Sequence, residues 1–279
     1  MYEAHYGLKE KPFTIQPDPD FLFLSDRHSM AYTMLEYGVQ NRAGFSVICG
    51  DIGCGKTTLL RHLINNLGDE LTVGIVYNTH QDMDDLVSWI MMAFDQPYEG
   101  KSYLALFDAF QQFLIQAYVT NKRAVLIIDE AQNLSPKALE SLRMLSNINA
   151  DKDQLLQVIL VGQPELRSVL RRPDMKQFFQ RVSVDYYIPP LKPREVAKYI
   201  QHRLHVAGRD EPLFTSSANR LICTETQGVP RSINILCDTA LVYGYSAGTQ
   251  KIDVGIVRKV IKDKSEFGVL GTQNNVSAD

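Results

Sequence analysis

One short stretch constrains this chain more than any other: Gly50-Asp51-Ile52-Gly53-Cys54-Gly55-Lys56-Thr57 has the Gly-x-x-x-x-Gly-Lys-Thr spacing of a phosphate-binding loop. Phe45-Ser46-Val47-Ile48-Cys49 before it reads as a short buried strand. After it Leu59, Leu60, Leu63, Ile64 and Leu67 recur at helical spacing, so the context is strand, loop, helix. Glycines let backbone N–H groups turn inward around a polyphosphate, and the helix that follows points its positive end at the same anion. Lys56 has the reach for the β and γ phosphates, and the Thr57 hydroxyl suits Mg²⁺. Gly50, Asp51, Ile52, Gly53, Cys54, Gly55, Lys56, Thr57 and the adjoining Thr58 are therefore the expected nucleotide contacts.

At 279 residues the chain exceeds a typical single domain, and one large domain plus a smaller one is expected. The formal net charge of -3 argues against a broadly basic nucleic-acid surface and leaves a local patch open. Cys49, Cys54, Cys223 and Cys237 have neither metal-ligand nor secreted-scaffold spacing, which predicts free thiols. Cys54 lies inside the loop, so alkylation there is expected to impair nucleotide binding and nucleotide to protect. No apolar run is long enough to span a bilayer, and Met1-Tyr2-Glu3-Ala4-His5 is no signal peptide. The expected location is the cytoplasm.

Strand-like and helix-like segments alternate beyond the loop, the pattern of a parallel sheet covered by helices. Strands are predicted at 73–77, 124–128, 155–161 and 183–188, and helices at 86–94 and 104–118. Ser135-Pro136 opens another helix as cap and first-turn proline, running through Leu139, Leu142 and Leu145. Pro189-Pro190-Leu191-Lys192-Pro193 marks the domain boundary, because consecutive prolines cannot continue a regular element. Helices at 194–206, 216–226, 232–243 and 254–263, with turns at Gly208 and Gly228, then make a small all-helical module. The domain reading is 1–190, 191–264, and a polar tail or linker at 265–279.

Leu126-Ile127-Ile128-Asp129-Glu130 is an apolar strand ending in two acids. Asp129 at the strand end suits Mg²⁺, and Glu130 suits orienting and deprotonating a water that attacks the γ-phosphate, so the pair implies hydrolysis. Leu160-Val161-Gly162-Gln163-Pro164 ends the next strand with an amide that could touch the γ-phosphate or the water, or simply cap a loop. Arg167, Arg171, Arg172, Lys176 and Arg181 form a basic stretch, by default a solvated face and alternatively a nucleic-acid patch. Arg181, just before the last strand, is placed to reach a neighbouring subunit's nucleotide, with Arg171 or Arg172 as fallback. Gly228-Val229-Pro230-Arg231 puts Arg231 at a helix start, where the dipole disfavours a cation unless an anion such as phosphate compensates.

Together these residues resemble an AAA+ ATPase: Gly50 to Thr57 as Walker A, Asp129-Glu130 as Walker B, Gln163 at sensor 1, Arg231 at sensor 2 and Arg181 at the arginine-finger position. Tyr6-Gly7-Leu8, Lys11-Pro12-Phe13, Pro17-Asp18-Pro19, Phe21-Leu22-Phe23-Leu24-Ser25 and His28 look like the opening of the ExeA/GspA-type ATPases. Glu130-Ala131-Gln132, Gly162-Gln163-Pro164-Glu165-Leu166 and Gln180-Arg181 match that family's pattern too. The resemblance, which reaches to about Lys264, implies a P-loop α/β domain followed by a helical lid, with ATP and Mg²⁺ as cofactors. It also implies self-association into a ring or filament with nucleotide between subunits, and a client in cell-envelope assembly. Secretion members continue into a transmembrane helix and a periplasmic domain, so association with the inner membrane through such a segment or a partner is implied. By the same analogy the 13–28 segment packs near the adenine; its aromatics could equally be ordinary core against the sheet.

Three functions compete: an ATP-driven assembly factor for a secretion, pilus or polysaccharide-export system; a DNA-transposition regulator of the TniB/TnsC type; and a nucleotide-gated scaffold with negligible turnover. The acidic charge and the N-terminal segment favour the first.

Overall fold

The computed structural model describes residues 1–77, 86–150 and 153–267. They form two compact units. One comprises Asp26–Ile52 and Lys56–Pro189, the other Met1–Ser25, Gly53–Gly55 and the chain from Pro190 on. A short helix α1 (Glu3–Tyr6) opens the chain and belongs to the second unit.

The first unit is an α/β layer structure. Its elements are α2 (Asp26–Gln40), β1 (Phe45–Gly50), α3 (Lys56–Asn65), β2 (Leu71–Val76), α4 (Leu86–Ala93), α5 (Tyr103–Val119), β3 (Arg123–Ile128) and α6 (Pro136–Leu145). A two-residue hairpin, β4 (Asn149–Ala150) and β5 (Asp153–Gln154), leads to β6 (Leu156–Gly162), α7 (Pro164–Leu170), α8 (Lys176–Phe179) and β7 (Val182–Ile188). The five long strands lie in the order β2-β3-β6-β1-β7, all parallel. The central three, β3, β6 and β1, are buried from end to end apart from half-buried Arg123. That is why they read as unbroken apolar runs: both faces of the sheet are covered, so no alternation survives.

The five predicted strands and the predicted helices all appear, with bounds moved by a few residues. Ser135 caps α6, its hydroxyl accepting from the Ala138 N–H at 3.1 Å, and Pro136 holds the first turn. Gln157 sits in fully buried β6, and its amide donates to the Gly38 and Val39 carbonyls at 3.2 Å each. These carbonyls belong to the open end of α2, so the polar residue has its donor satisfied by the helix end it serves.

The second unit joins α1 to α9 (Pro193–Val206), α10 (Ser216–Thr226), α11 (Pro230–Ser246) and α12 (Val254–Phe267). Gly208 and Gly228 sit at the expected turns with φ of +90° and +76°. Its core contains Tyr2, Tyr6, Leu8, Phe13 and Phe21 among residues of the four long helices, such as Val196, Ile222, Ile233 and Val260. Sequence reading placed residues 1–25 in the 1–190 domain; here they cluster with the helical unit, because their apolar side chains complete its core rather than that of the sheet. The Arg203 guanidinium makes the attachment specific. It lies over the Phe21 ring at 4.3 Å and donates to the Pro12 carbonyl at 2.5 Å and to the carbonyl and hydroxyl of Thr14 at 3.4 and 3.3 Å. α12 continues to Phe267, past the expected end, and the expected tail from 268 on lies outside the described residues.

Candidate nucleotide site

All five long strands point their carboxyl ends the same way, and in open parallel sheets that edge is where ligands bind. The loop leaves β1 there. A Cβ on Gly50 would sit 2.6 Å from the Ile188 carbonyl of β7, so this strand end tolerates only glycine. Gly55 has φ +86°, a left-handed turn that opens the way into α3. Lys56, first residue of α3 and 8% exposed, donates its ammonium to the Gly50 carbonyl at 2.7 Å and the Asp51 carbonyl at 3.1 Å. The cation is thus held over the loop by the loop's own backbone. Asp51 is fixed in turn by the Tyr187 hydroxyl of β7 at 2.9 Å, a contact sequence reading missed. Thr58 is the third residue of α3 and Ile52 is an exposed loop residue. Cys54 is fully buried, so a reagent reaches its thiol only once the loop opens.

Two strands away, β3 ends in Asp129. Its Oδ2 accepts the Thr57 hydroxyl at 2.9 Å and its Oδ1 accepts the Glu130 N–H at 2.9 Å. Burial pushes the Asp129 carboxyl above the usual carboxylate range despite these two bonds. A buried carboxylate beside a hydroxyl is a donor set for a hard divalent cation completed by water and phosphate oxygens. Among the described residues there is no group of three or more His, Cys, Asp or Glu that could hold a metal ion.

Glu130 adopts left-handed φ 54°, ψ 35°, sparsely populated for a residue with a side chain and shared among the described residues with Arg42, Asp95, Asn121 and Gln227. Its Oε2 accepts from the Gln163 amide at 3.2 Å and from the Gln132 amide at 2.6 Å. The Gln132 carbonyl oxygen accepts the Gln163 backbone N–H at 2.9 Å. Gln163, at the end of β6, thus meets Glu130, a contact that sequence reading, which aimed this amide at the γ-phosphate or the water, did not anticipate. The sequence signal at Gln132 was only its place in a family pattern.

The arginines are dispersed. Arg181 precedes β7, whose first residue pairs with Phe45 at the start of β1, so it sits at the amino edge of the sheet. A six-residue strand separates that edge from the loop, about 20 Å at ~3.3 Å per residue, so Arg181 does not meet the phosphate loop of its own chain. Its guanidinium donates to Ser146 Oγ at 2.9 Å. Arg172 pairs with Asp174, and Arg167 with Asp185. Arg171 is exposed. Arg231, exposed at the second position of α11, donates its backbone N–H to the Gly53 carbonyl at 3.1 Å within the helical unit.

Sheet order, loop and strand-end acids define an AAA-type P-loop protein, and an AAA domain family matches residues 39–170. Solved structures of the same fold include Cdc6p from Pyrobaculum aerophilum (19% identity, TM-score 0.67, 88% of this chain and 70% of that one). Another is the ORC2 protein of Aeropyrum pernix in ADPNP–ADP complexes (18% identity, TM-score 0.63, 85% and 67%). General secretion pathway protein A of Aeromonas hydrophila is 40% identical over 253 residues, 90% of this chain. Over those 253 residues the chain matches the ExeA/GspA type of AAA ATPase. It spans 46% of the length of that relative. No helix among the described residues is long and apolar enough to cross a membrane.

Proposed function

We propose that this chain hydrolyses ATP and couples hydrolysis to assembly or remodelling of cell-envelope machinery. The observation that carries the first half is the convergence of Lys56, the Thr57–Asp129 pair and the Glu130–Gln163 pair at the carboxyl ends of three adjacent strands. Loop N–H groups and the Lys56 ammonium bind the β and γ phosphates. Thr57 and Asp129 hold Mg²⁺, which, when bound, neutralises charge on the phosphate oxygens. Glu130 orients the attacking water and takes its proton as the water oxygen bonds to the γ-phosphorus and the bond to the β-phosphate oxygen breaks. Gln163 holds the water and the γ-phosphate oxygens in line. Arg231 contributes charge to the bound polyphosphate, and Arg181 serves a neighbouring subunit in a ring or filament.

The second half rests on similarity to a protein whose name places it in a secretion pathway, which favours that setting over DNA transposition. The chain then works at the cytoplasmic side of the inner membrane, on a protein client. Phosphate release and labelled-ADP binding test the chemistry. Lys56→Ala loses nucleotide binding, while Glu130→Gln keeps it and drops turnover by on the order of 10²-fold or more. A Glu130→Gln protein that turns over like wild type removes Glu130 as base.

A further inference from the structure

Hydrolysis requires that the base and the residue opposite it keep a fixed separation, yet Glu130 and Gln163 stand on loops leaving different strands. The structure shows what connects them. Glu130 is left-handed, and the 3₁₀ turn Ala131–Asn133 that follows folds Gln132 back over it. The facing groups determine which way the Gln132 amide points: the Gln163 backbone N–H can only donate, so it meets the carbonyl oxygen, and the NH₂ group is left facing the Glu130 carboxylate. One planar side chain therefore bonds the carboxylate at one end and the terminus of β6 at the other.

The space for it is provided by Gly162. A Cβ there would lie 2.9 Å from the Gln132 carbonyl oxygen and 3.2 Å from the Gln132 backbone nitrogen, although Gly162 has no positive φ that would itself demand glycine. The Gln163 side chain donates to the same carboxylate oxygen, so both amides converge on Oε2. Hydrogen bonds to an ionised acceptor are the strong kind; two of them, together with the Gln163 N–H bond to the Gln132 oxygen, close this small network.

We propose that Gln132 is a positioning residue for hydrolysis: its amide ties the Glu130 carboxylate to the end of β6, so that base and Gln163 are presented at one fixed separation. This rests on the reading of Glu130 as the base. A residue that only capped β6 would need its oxygen alone, whereas a positioning residue needs both ends of the amide.

The test compares Gln132→Ala, which removes both ends, with Gln132→Glu, which keeps an accepting oxygen and sets a carboxylate against Glu130. Steady-state ATP hydrolysis, ADP affinity and thermal melting are measured on the full chain. Both variants are expected to lose kcat by on the order of tenfold or more, with KM and ADP affinity within about twofold of wild type. Combining Gln132→Ala with Gln163→Ala costs less than the product of the single losses, because both act through Glu130. Gly162→Ala, which changes no polar group, lowers kcat in the same direction by pushing the amide aside. Wild-type kcat in Gln132→Ala overturns the proposal. So does a loss that tracks ADP affinity or melting temperature, which marks a structural cap. Should Glu130→Gln turn over normally, the reading of the base fails; should it be inactive while Gln132→Ala is normal, only the role of Gln132 fails.

Discussion

Replacing Asp129 by asparagine separates what this carboxylate does to the nucleotide-free fold from what it does for a bound cation. The amide keeps an oxygen for the Glu130 N–H and removes the charge. The sign follows from burial, which raises the Asp129 pKa in the folded state above its unfolded value. Protonation is then easier in the folded protein, so the contribution to stability is fully present below the unfolded pKa and is lost as pH rises through the folded one. Without nucleotide, Asp129→Asn is therefore expected to melt above wild type at neutral pH, the two curves meeting as the pH falls toward 4. With Mg²⁺ and ADP the order reverses. At a ligand concentration of 100 times the wild-type Kd the gain is about 2.7 kcal/mol, and at roughly 2–4 °C per kcal/mol for a domain of this size wild type rises by about 5–11 °C. Removing one charge-assisted ligand costs about 2–3 kcal/mol, or ~30- to 150-fold in affinity, which leaves the variant about 1–3 °C. The assay is a melting series over pH, with Mg²⁺ or with a chelator, each with and without ADP. Equal Mg²⁺-dependent gains in the two proteins would refute the placing of the cation at Thr57 and Asp129.

Arg181→Ala should fold normally, since Ser146 Oγ also donates to the Arg143 carbonyl at 2.7 Å and is not orphaned, yet lose on the order of 10³-fold in kcat. Mixing it with Glu130→Gln should restore part of the activity by pairing a sound base with a sound arginine across a subunit interface, and no recovery, or a fully active monomer, sinks the trans role. Arg203→Ala leaves the Pro12 carbonyl without this donor and removes the stack on Phe21, costing about 2–5 kcal/mol in denaturant unfolding of the helical unit. Protease should then cut within the first 25 residues; a variant within ~0.5 kcal/mol of wild type and uncut would show that the N-terminal segment is held by its apolar side chains alone.

The parts of the fold legible in the sequence are those whose physics is local. β1, β3 and β6 stand out because a strand covered on both faces must be apolar at every position, and α6 announces itself by a cap and a proline. α2 gave no such signal. Its buried residues are His28, Ala31, Leu35, Gly38 and Val39, a stripe of mixed polarity that carries a glycine. The glycine is there because a Cβ at 38 would lie 2.6 Å from Ser46 Oγ on β1, a tertiary demand invisible in the helix itself. α7 was hidden by Pro164, which reads as a turn and acts as a first-turn residue. The N-terminal aromatics were recognisable as buried, but no local pattern says which of two cores they complete.

The same division runs through the site. Lys56, Thr57, Asp129 and Glu130 are legible because each is tied to a strand end by a short, fixed spacing, and that spacing alone delivers it to the carboxyl edge of the sheet. Gln132 and Tyr187 depend on what lies opposite. Gln132 can reach both Glu130 and β6 only because Glu130 accepts a left-handed backbone, at a cost of about 1–2 kcal/mol, and because Gly162 presents no side chain. Such strain persists only where surrounding contacts enforce it. Here the Asp129 carboxylate on the Glu130 N–H and the two amides on its side chain do so. The strained residue and the glycine opposite are thus one device, and its purpose becomes visible only when the two strand ends are brought side by side.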